Sequence, residues 1–138
     1  MDYEAFTQNL IADMRSHGGR ITTGPMAGRP LMLLTTRGAK TGLERSAIVT
    51  YTRDGGRYVI AASKSGAPTN PAWFYNLQAN PLVTAEAGDE TFRARATVAS
   101  GAERDRLWDQ HSTERPEFSE YPSMTDRLIP VILLDRID

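Results

Sequence analysis

Two glycine-centred turns constrain this chain more than any other feature. Asp54-Gly55-Gly56 lies between the β-prone run 45–53 and the apolar run 57–62, and Gly88-Asp89 lies between 82–87 and 91–99. Short turns of this kind bring the chain back beside itself, so the flanking strands pair antiparallel. In the last of these runs Phe92, Ala94, Ala96 and Val98 alternate with Arg93, Arg95 and Thr97, the pattern of a strand with one buried and one wet face. Further strands are predicted at 31–36 and 129–134, which makes about six antiparallel strands. No helix of crossover length joins the first strands. That excludes a doubly wound parallel sheet and leaves a mainly β fold, an antiparallel barrel with peripheral helices.

The helices are few. Tyr3, Phe6, Leu10, Ile11 and Met14 form an apolar face over 3–16, with Asp2 placed to cap it and Gly18-Gly19 to end it. Asn70-Pro71 reads as N-cap and first position of a short helix to Gln78. Ser100 and Glu103 read as a capping box for a helix to about His111. A chain of 138 residues fits one domain, here an N-terminal amphipathic helix at 1–17 and a barrel over 30–135.

Composition narrows the chemistry. With no Cys there is no disulfide, thiolate nucleophile, or zinc or iron–sulfur site on cysteine, and no His pair has metal-ligand spacing, so no metal is expected. His17 and His111 each sit near a predicted helix end, where a lone His is usually a capping or surface residue. There is no nucleophile elbow. Gly38-Ala39-Lys40-Thr41-Gly42 lacks the P-loop spacing and joins strand to strand. The net charge of −1 argues against nucleic acid as a partner. Yet residues 29–64 alone carry a net +5, which suits an anionic ligand as well as it suits a solvated strand face. Both lysines, Lys40 and Lys64, stand in glycine-containing loops at strand ends. No apolar run reaches the roughly 20 residues of a membrane span, and no basic leader opens the chain. A cytoplasmic protein is expected. The 3–16 face is expected to pack on the barrel, the sharper alternative being weak peripheral contact with a bilayer.

Four motifs in order resemble one family. They are Thr35-Thr36-Arg37-Gly38-Ala39-Lys40-Thr41-Gly42 with Arg45, then Asp54-Gly55-Gly56, then 61–67 (Ala61-Ala62-Ser63-Lys64-Ser65-Gly66-Ala67), then 70–81 around Trp73 and Asn76. Thr125-Asp126-Arg127 and Ile129-Pro130-Val131 are similar too. The family is that of the deazaflavin-dependent nitroreductases, the A branch of the flavin/deazaflavin oxidoreductases. The resemblance implies a split β-barrel of the FMN-binding-like type that binds coenzyme F420. It implies hydride transfer to a quinone, nitro-aromatic or activated alkene. It further implies cofactor contacts at Lys40, Thr41, Gly42, Arg45, Ala61, Ala62, Ser63, Lys64 and Asn76, and a packing role for Trp73.

Two departures stand out: Ala39 replaces a second basic residue and Ser65 replaces a glycine. Phe118 and Tyr121 are expected to frame the acceptor, with Ser63, Tyr121 or water as proton donor. An FMN- or FAD-binding oxidoreductase in the same barrel, and a non-catalytic flavin, haem or lipid carrier, are the rival readings.

Overall fold

Seven strands form where the sequence predicts six, because the run 45–53 is divided at Tyr51. The computed structural model describes residues 3–17, 31–88 and 90–137. The expected helix ends at Asp2 and Gly18-Gly19 lie outside the described residues, as do the side chains of Tyr3, Phe6 and Leu10. The strands are β1 (Leu31–Arg37), β2 (Glu44–Thr50), β3 (Thr52–Asp54), β4 (Arg57–Ala61), β5 (Leu82–Ala87), β6 (Glu90–Val98) and β7 (Val131–Arg136). They form one sheet in the order β2-β1-β5-β6-β7-β4-β3, and every neighbouring pair is antiparallel. Gly55 and Gly88 both turn at φ +62, as the hairpin signals require.

The order of the strands dictates the shape. β2 and β3 stand at opposite ends of the sheet, yet only Tyr51 separates them in the chain. In a flat sheet those ends would lie roughly 29 Å apart. One intervening residue spans only about 7 Å. The sheet is therefore rolled until its ends approach, and Tyr51 is the corner where the chain leaves β1 for β4.

Burial follows the roll. Met32, Leu34, Ile60, Val83, Phe92, Ala94, Ile132 and Leu134 fill the interior, with Phe74 and Leu77 of helix α2 (Ala72–Ala79) packed against them. Outside, helix α1 (Tyr3–Ser16) covers β1, where Ile11 and Met14 meet Leu31 and Leu33. Helix α3 (Gly101–Glu114) covers β4 and β7, where Leu107 and Trp108 meet Val59, Val131 and Leu133. Strands with a helix outside and the core inside are apolar on both faces, hence the unbroken runs at 31–34 and 131–134. β6 meets α2 on its inner face, and its side chains alternate from buried Phe92 to buried Ala96 with exposed Arg93 and Arg95 between. At its end Val98 is 40 % exposed, and Ala99 is buried instead, its N–H donating to Val131 O.

Three helix readings need correction. Pro71, not Asn70, stands at the N-cap of α2, and the Asn70 side chain bonds elsewhere. Ser100 makes no side-chain cap, and α3 continues to Glu114. His111 is neither capping nor exposed: it is fully buried, Nδ1 lies 2.8 Å from Thr52 Oγ1, and its ring packs on Phe118. Burial, reinforced by the Arg115 charge, pulls its pKa down to about 4.

No helix among the described residues is long and apolar enough to cross a membrane. The described part of the α1 face faces β1, and Arg15 pairs with Glu86 at 3.1 Å, so the bilayer alternative finds no support there.

Candidate functional site

The expected cofactor residues fall in two loops, with α2 between them. The first loop joins β1 to β2. It closes on itself: Gly38 N–H donates to Leu43 O at 2.7 Å and Gly42 N–H to Gly38 O at 2.9 Å, with Gly42 at φ +72. Arg37 Nη1 donates to Gly42 O at 3.1 Å, and Leu43 N–H to Thr41 Oγ1 at 3.2 Å. Lys40, Thr41, Gly42 and Arg45 are all exposed.

The basic stretch resolves into used and unused cations. Arg37 holds the loop, Arg53 lies over the Tyr58 ring, and Arg57 pairs with Asp54 at 2.7 Å. Lys40 and Arg45 make no ion pair or hydrogen bond among the described residues, so the unneutralised charge gathers at this loop.

Asn76 grips the first loop from α2. Its Oδ1 accepts from Ala39 N–H at 3.0 Å and its Nδ2 donates to Thr36 Oγ1 at 3.2 Å. The residue is only 8 % exposed, so its amide serves the loop first.

The second loop follows β4. Ala61 pairs with Val131 at the end of the ladder, and Ala62 N–H donates to Pro130 O. Ser63 is right-handed helical (φ −77, ψ −37), and Lys64 has φ +47, the one positive-φ residue besides glycine among those described. A right-handed residue followed by a left-handed one turns successive N–H groups toward one point, a backbone nest suited to an anion or an electron-rich oxygen. The N–H groups of Ser63 and Lys64 have no acceptor among the described residues, whereas those of Gly66 and Ala67 donate to Ser63 O and Lys64 O. Holding a lysine at positive φ costs roughly 1–2 kcal/mol, and such strain clusters at functional sites. The Lys64 side chain is exposed, with Nζ 3.3 Å from Thr69 Oγ1.

Arg127 organises this loop. Its guanidinium donates to Ala62 O (2.9 Å), Ser63 O (2.5 Å), Ala67 O (2.9 Å) and Asn70 Oδ1 (2.8 Å). No carboxylate pairs with it among the described residues, and burial lowers its pKa from the usual arginine value. Asn70 Nδ2 in turn donates to Tyr75 Oη at 3.3 Å. Consecutive residues of α2, Tyr75 and Asn76, thus reach the two loops. Sequence reasoning quoted Arg127 within a matching segment but gave it no role; its partners lie 57 to 65 residues away.

The expected acceptor residues lie near the second loop. Phe118 is buried, with ring centroids 4.5 Å from His111 and 5.3 Å from Tyr121. Tyr121 is half-buried and opens a 3-10 turn, Tyr121–Met124, whose Met124 side chain lies against Gly66. An open cavity of about 300 Å³, lined by Pro68, Ser123, Met124, Thr125, Asp126 and Arg127, borders the loop.

Together the two loops present unneutralised cations and an unsatisfied nest. This arrangement recognises anionic and electron-rich groups. Redox chemistry must come from a bound group.

The sequence profile described as F420H(2)-dependent quinone reductase matches residues 7–136. An F420H(2)-dependent quinone reductase of Mycobacterium tuberculosis is 39% identical over 125 residues, covering 88% of this chain and 84% of that protein. A solved F420-H2 dependent reductase (FDR-A) is 38% identical with a TM-score of 0.71, covering 78% of this chain and 95% of the other. A structure described as a domain-swapped dimer is 32% identical with a TM-score of 0.73, covering 97% and 98%.

Proposed function

This chain belongs to the F420H(2)-dependent quinone reductase family, and from that premise we propose that it moves a hydride from reduced coenzyme F420 to a quinone-type acceptor. It is an F420-dependent oxidoreductase. Nitro-aromatics and activated alkenes, which accept the same two electrons, fall within the proposed acceptor range. The reaction is proposed to run in the cytoplasm.

The residues present fit such a coenzyme. The observation that carries the reading is the conjunction of Lys40 and Arg45, exposed and unpaired among the described residues, with a nest at Ser63 and Lys64 whose two N–H groups have no acceptor among those residues. Lys40, Arg45 and Lys64 would hold the anionic parts, since an ammonium or guanidinium suits phosphate and carboxylate. Thr41 and Gly42 keep the first loop low enough for close approach, and Asn76 holds its backbone in place. Ala61 and Ala62 are buried at the strand end before the nest and are proposed to support the ring side of the site from there. When bound, the coenzyme supplies the hydride, and the protein supplies position and electrostatics. Ser63 and Lys64 N–H groups would steady charge that shifts toward them during transfer.

On the acceptor side, Tyr121 and Phe118 are proposed to frame the quinone, Phe118 acting from the interior by fixing the Tyr121 ring. A quinone that takes a hydride also needs a proton on the second oxygen. The Tyr121 and Ser63 hydroxyls are the proposed donors. Tyr121→Phe should leave coenzyme binding intact and lower turnover. Loss of binding without loss of turnover would move Tyr121 to the coenzyme side.

The deciding experiment titrates the protein with F420, FMN, FAD and haem, then mixes it with reduced F420 and a soluble quinone. Saturable F420 binding and quinone-dependent coenzyme oxidation are expected. Tight binding of FMN, FAD or haem with no response to F420 would overturn the reading.

A further inference from the structure

The trans geometry of the peptide bond gives Arg127 a second task. In a trans peptide the C=O and the N–H point in opposite directions. The carbonyl of Ala62 shares its peptide unit with the N–H of Ser63, and that of Ser63 with the N–H of Lys64. No cis bond occurs among the described residues. Arg127 donates to both carbonyls. It therefore fixes the planes of two successive peptides and turns both N–H groups away from itself, into the nest.

Polarisation acts in the same sense. A carbonyl that accepts from a charged donor makes its own peptide N–H a stronger donor, because hydrogen bonds in series reinforce one another. The guanidinium has no carboxylate partner among the described residues, so its charge is not cancelled locally. Two further bonds, to Ala67 O and Asn70 Oδ1, hold the fork itself in place. These four bonds also maintain Lys64 at its strained φ of +47.

We infer that Arg127 is a positioning residue: by holding the Ala62 and Ser63 carbonyls it aims the Ser63 and Lys64 N–H groups at an electron-rich edge of the bound ring. This rests on the F420 reading above. Positive charge alone does not meet the requirement, which includes a planar fork. Lysine keeps the charge but offers a compact ammonium that cannot reach four acceptors arranged around a plane.

The test compares wild type with Arg127→Lys, Arg127→Gln and Asn70→Ala. Amide hydrogen exchange in the coenzyme-free protein comes first. In Arg127→Lys the amides of Gly66 and Ala67 should exchange faster, while those of Gly38 and Gly42 stay at wild-type rates. Oxidised F420 is then titrated by fluorescence, and both Arg127 variants should bind about tenfold more weakly or worse, the scale of lost charge-assisted bonds. At saturating coenzyme the shift of the bound visible band, caused by the aimed N–H groups, should be absent in both. A merely structural arginine would lower thermal stability but leave that band unchanged at full occupancy. Asn70→Ala, which removes one acceptor and neither carbonyl, should retain the shift.

Wild-type exchange rates, affinity and band in Arg127→Lys would overturn the positioning role. If wild type itself fails to bind F420, the functional reading fails. Faster exchange at Gly66 and Ala67 would then still support the loop-holding part of the inference, and unchanged exchange would overturn that too.

Discussion

The two lysine loops are held in shape by different means. The Lys40 loop is closed mainly by neighbours: Gly38 to Leu43, Gly42 to Gly38, Arg37 to Gly42, Leu43 to Thr41. One distant residue, Asn76, secures its tip at Ala39. The Lys64 loop has a single short 3-10 turn of its own, and its carbonyls are held by Arg127 from some sixty residues away. Strain differs accordingly. Positive φ in the first loop falls on Gly42, where it is cheap, and in the second on Lys64, where it is not. A locally closed loop keeps its form when distant contacts loosen. A remotely held loop depends on the fold around it, and in exchange can present unsatisfied donors that local closure would consume.

The largest expected effect tests that dependence. Gly66→Ala places a Cβ 2.8 Å from Met124 Cβ at φ +80, where neither backbone can yield easily. We expect a loss of about 3 kcal/mol in denaturant titrations. Gly38→Ala meets Thr41 Oγ1 at 2.6 Å, a hydroxyl that can rotate, and Leu43 O at 3.2 Å. It should cost less, about 1–2 kcal/mol. An equal or reversed pair of losses would erase the distinction between the loops.

Asn76→Ala comes next. It strands the Ala39 N–H and the Thr36 hydroxyl in a site that is 8 % exposed, at a cost of about 1–3 kcal/mol. Because the remaining closures of the first loop are local, amide exchange at Gly38 and Gly42 should change little. Wholesale loosening of that loop would show that it, too, is remotely held.

Smaller effects are expected from the cations. Lys40→Ala and Lys64→Asn should each weaken F420 binding by about 1–2 kcal/mol, less at high salt. Asparagine tolerates the left-handed region, so Lys64→Asn removes charge without adding strain. Unchanged affinity in both variants would remove the anion-site reading of the loops.

The smallest effect on either loop should come from His111, which lies in the core. Its folded pKa of about 4 is depressed from the ordinary 6.5, so between those values the unfolded chain holds the extra proton. The stability contributed by neutral His111 is complete above about pH 6.5 and is lost as pH falls toward 4, on the order of 3 kcal/mol in full. His111→Gln should flatten that slope and leave F420 affinity alone. A stability curve flat over this window in wild type would contradict the burial argument.

Legibility in the sequence divides along the same line. The hairpins at 54–56 and 88–89, the two-faced alternation of β6 and the closure of the first loop were readable because short-range geometry sets them. Lys64 stood out by its place in a glycine-containing loop at a strand end, Ser63 and Arg45 were reached through a resemblance, and the roles of all three are proposals. His111 was misread because helical position gives no hint of what packs over it. The corner at Tyr51 was missed because a β-prone run looks the same whether it stays in one ladder or changes partner. Arg127 carried no local signal: an arginine between Asp126 and Leu128 resembles any surface cation.

What the sequence determined by itself was therefore the antiparallel strand set, the absence of a cysteine site, the basic stretch and the turn that carries Lys40. The tertiary structure alone decided which cations remain unpaired, that the sheet rolls at Tyr51, and that Arg127 meets Ala62 and Ser63. The physical reason is that periodicity and turn chemistry act over a few residues, whereas a hydrogen bond across 64 residues exists only after the barrel has closed.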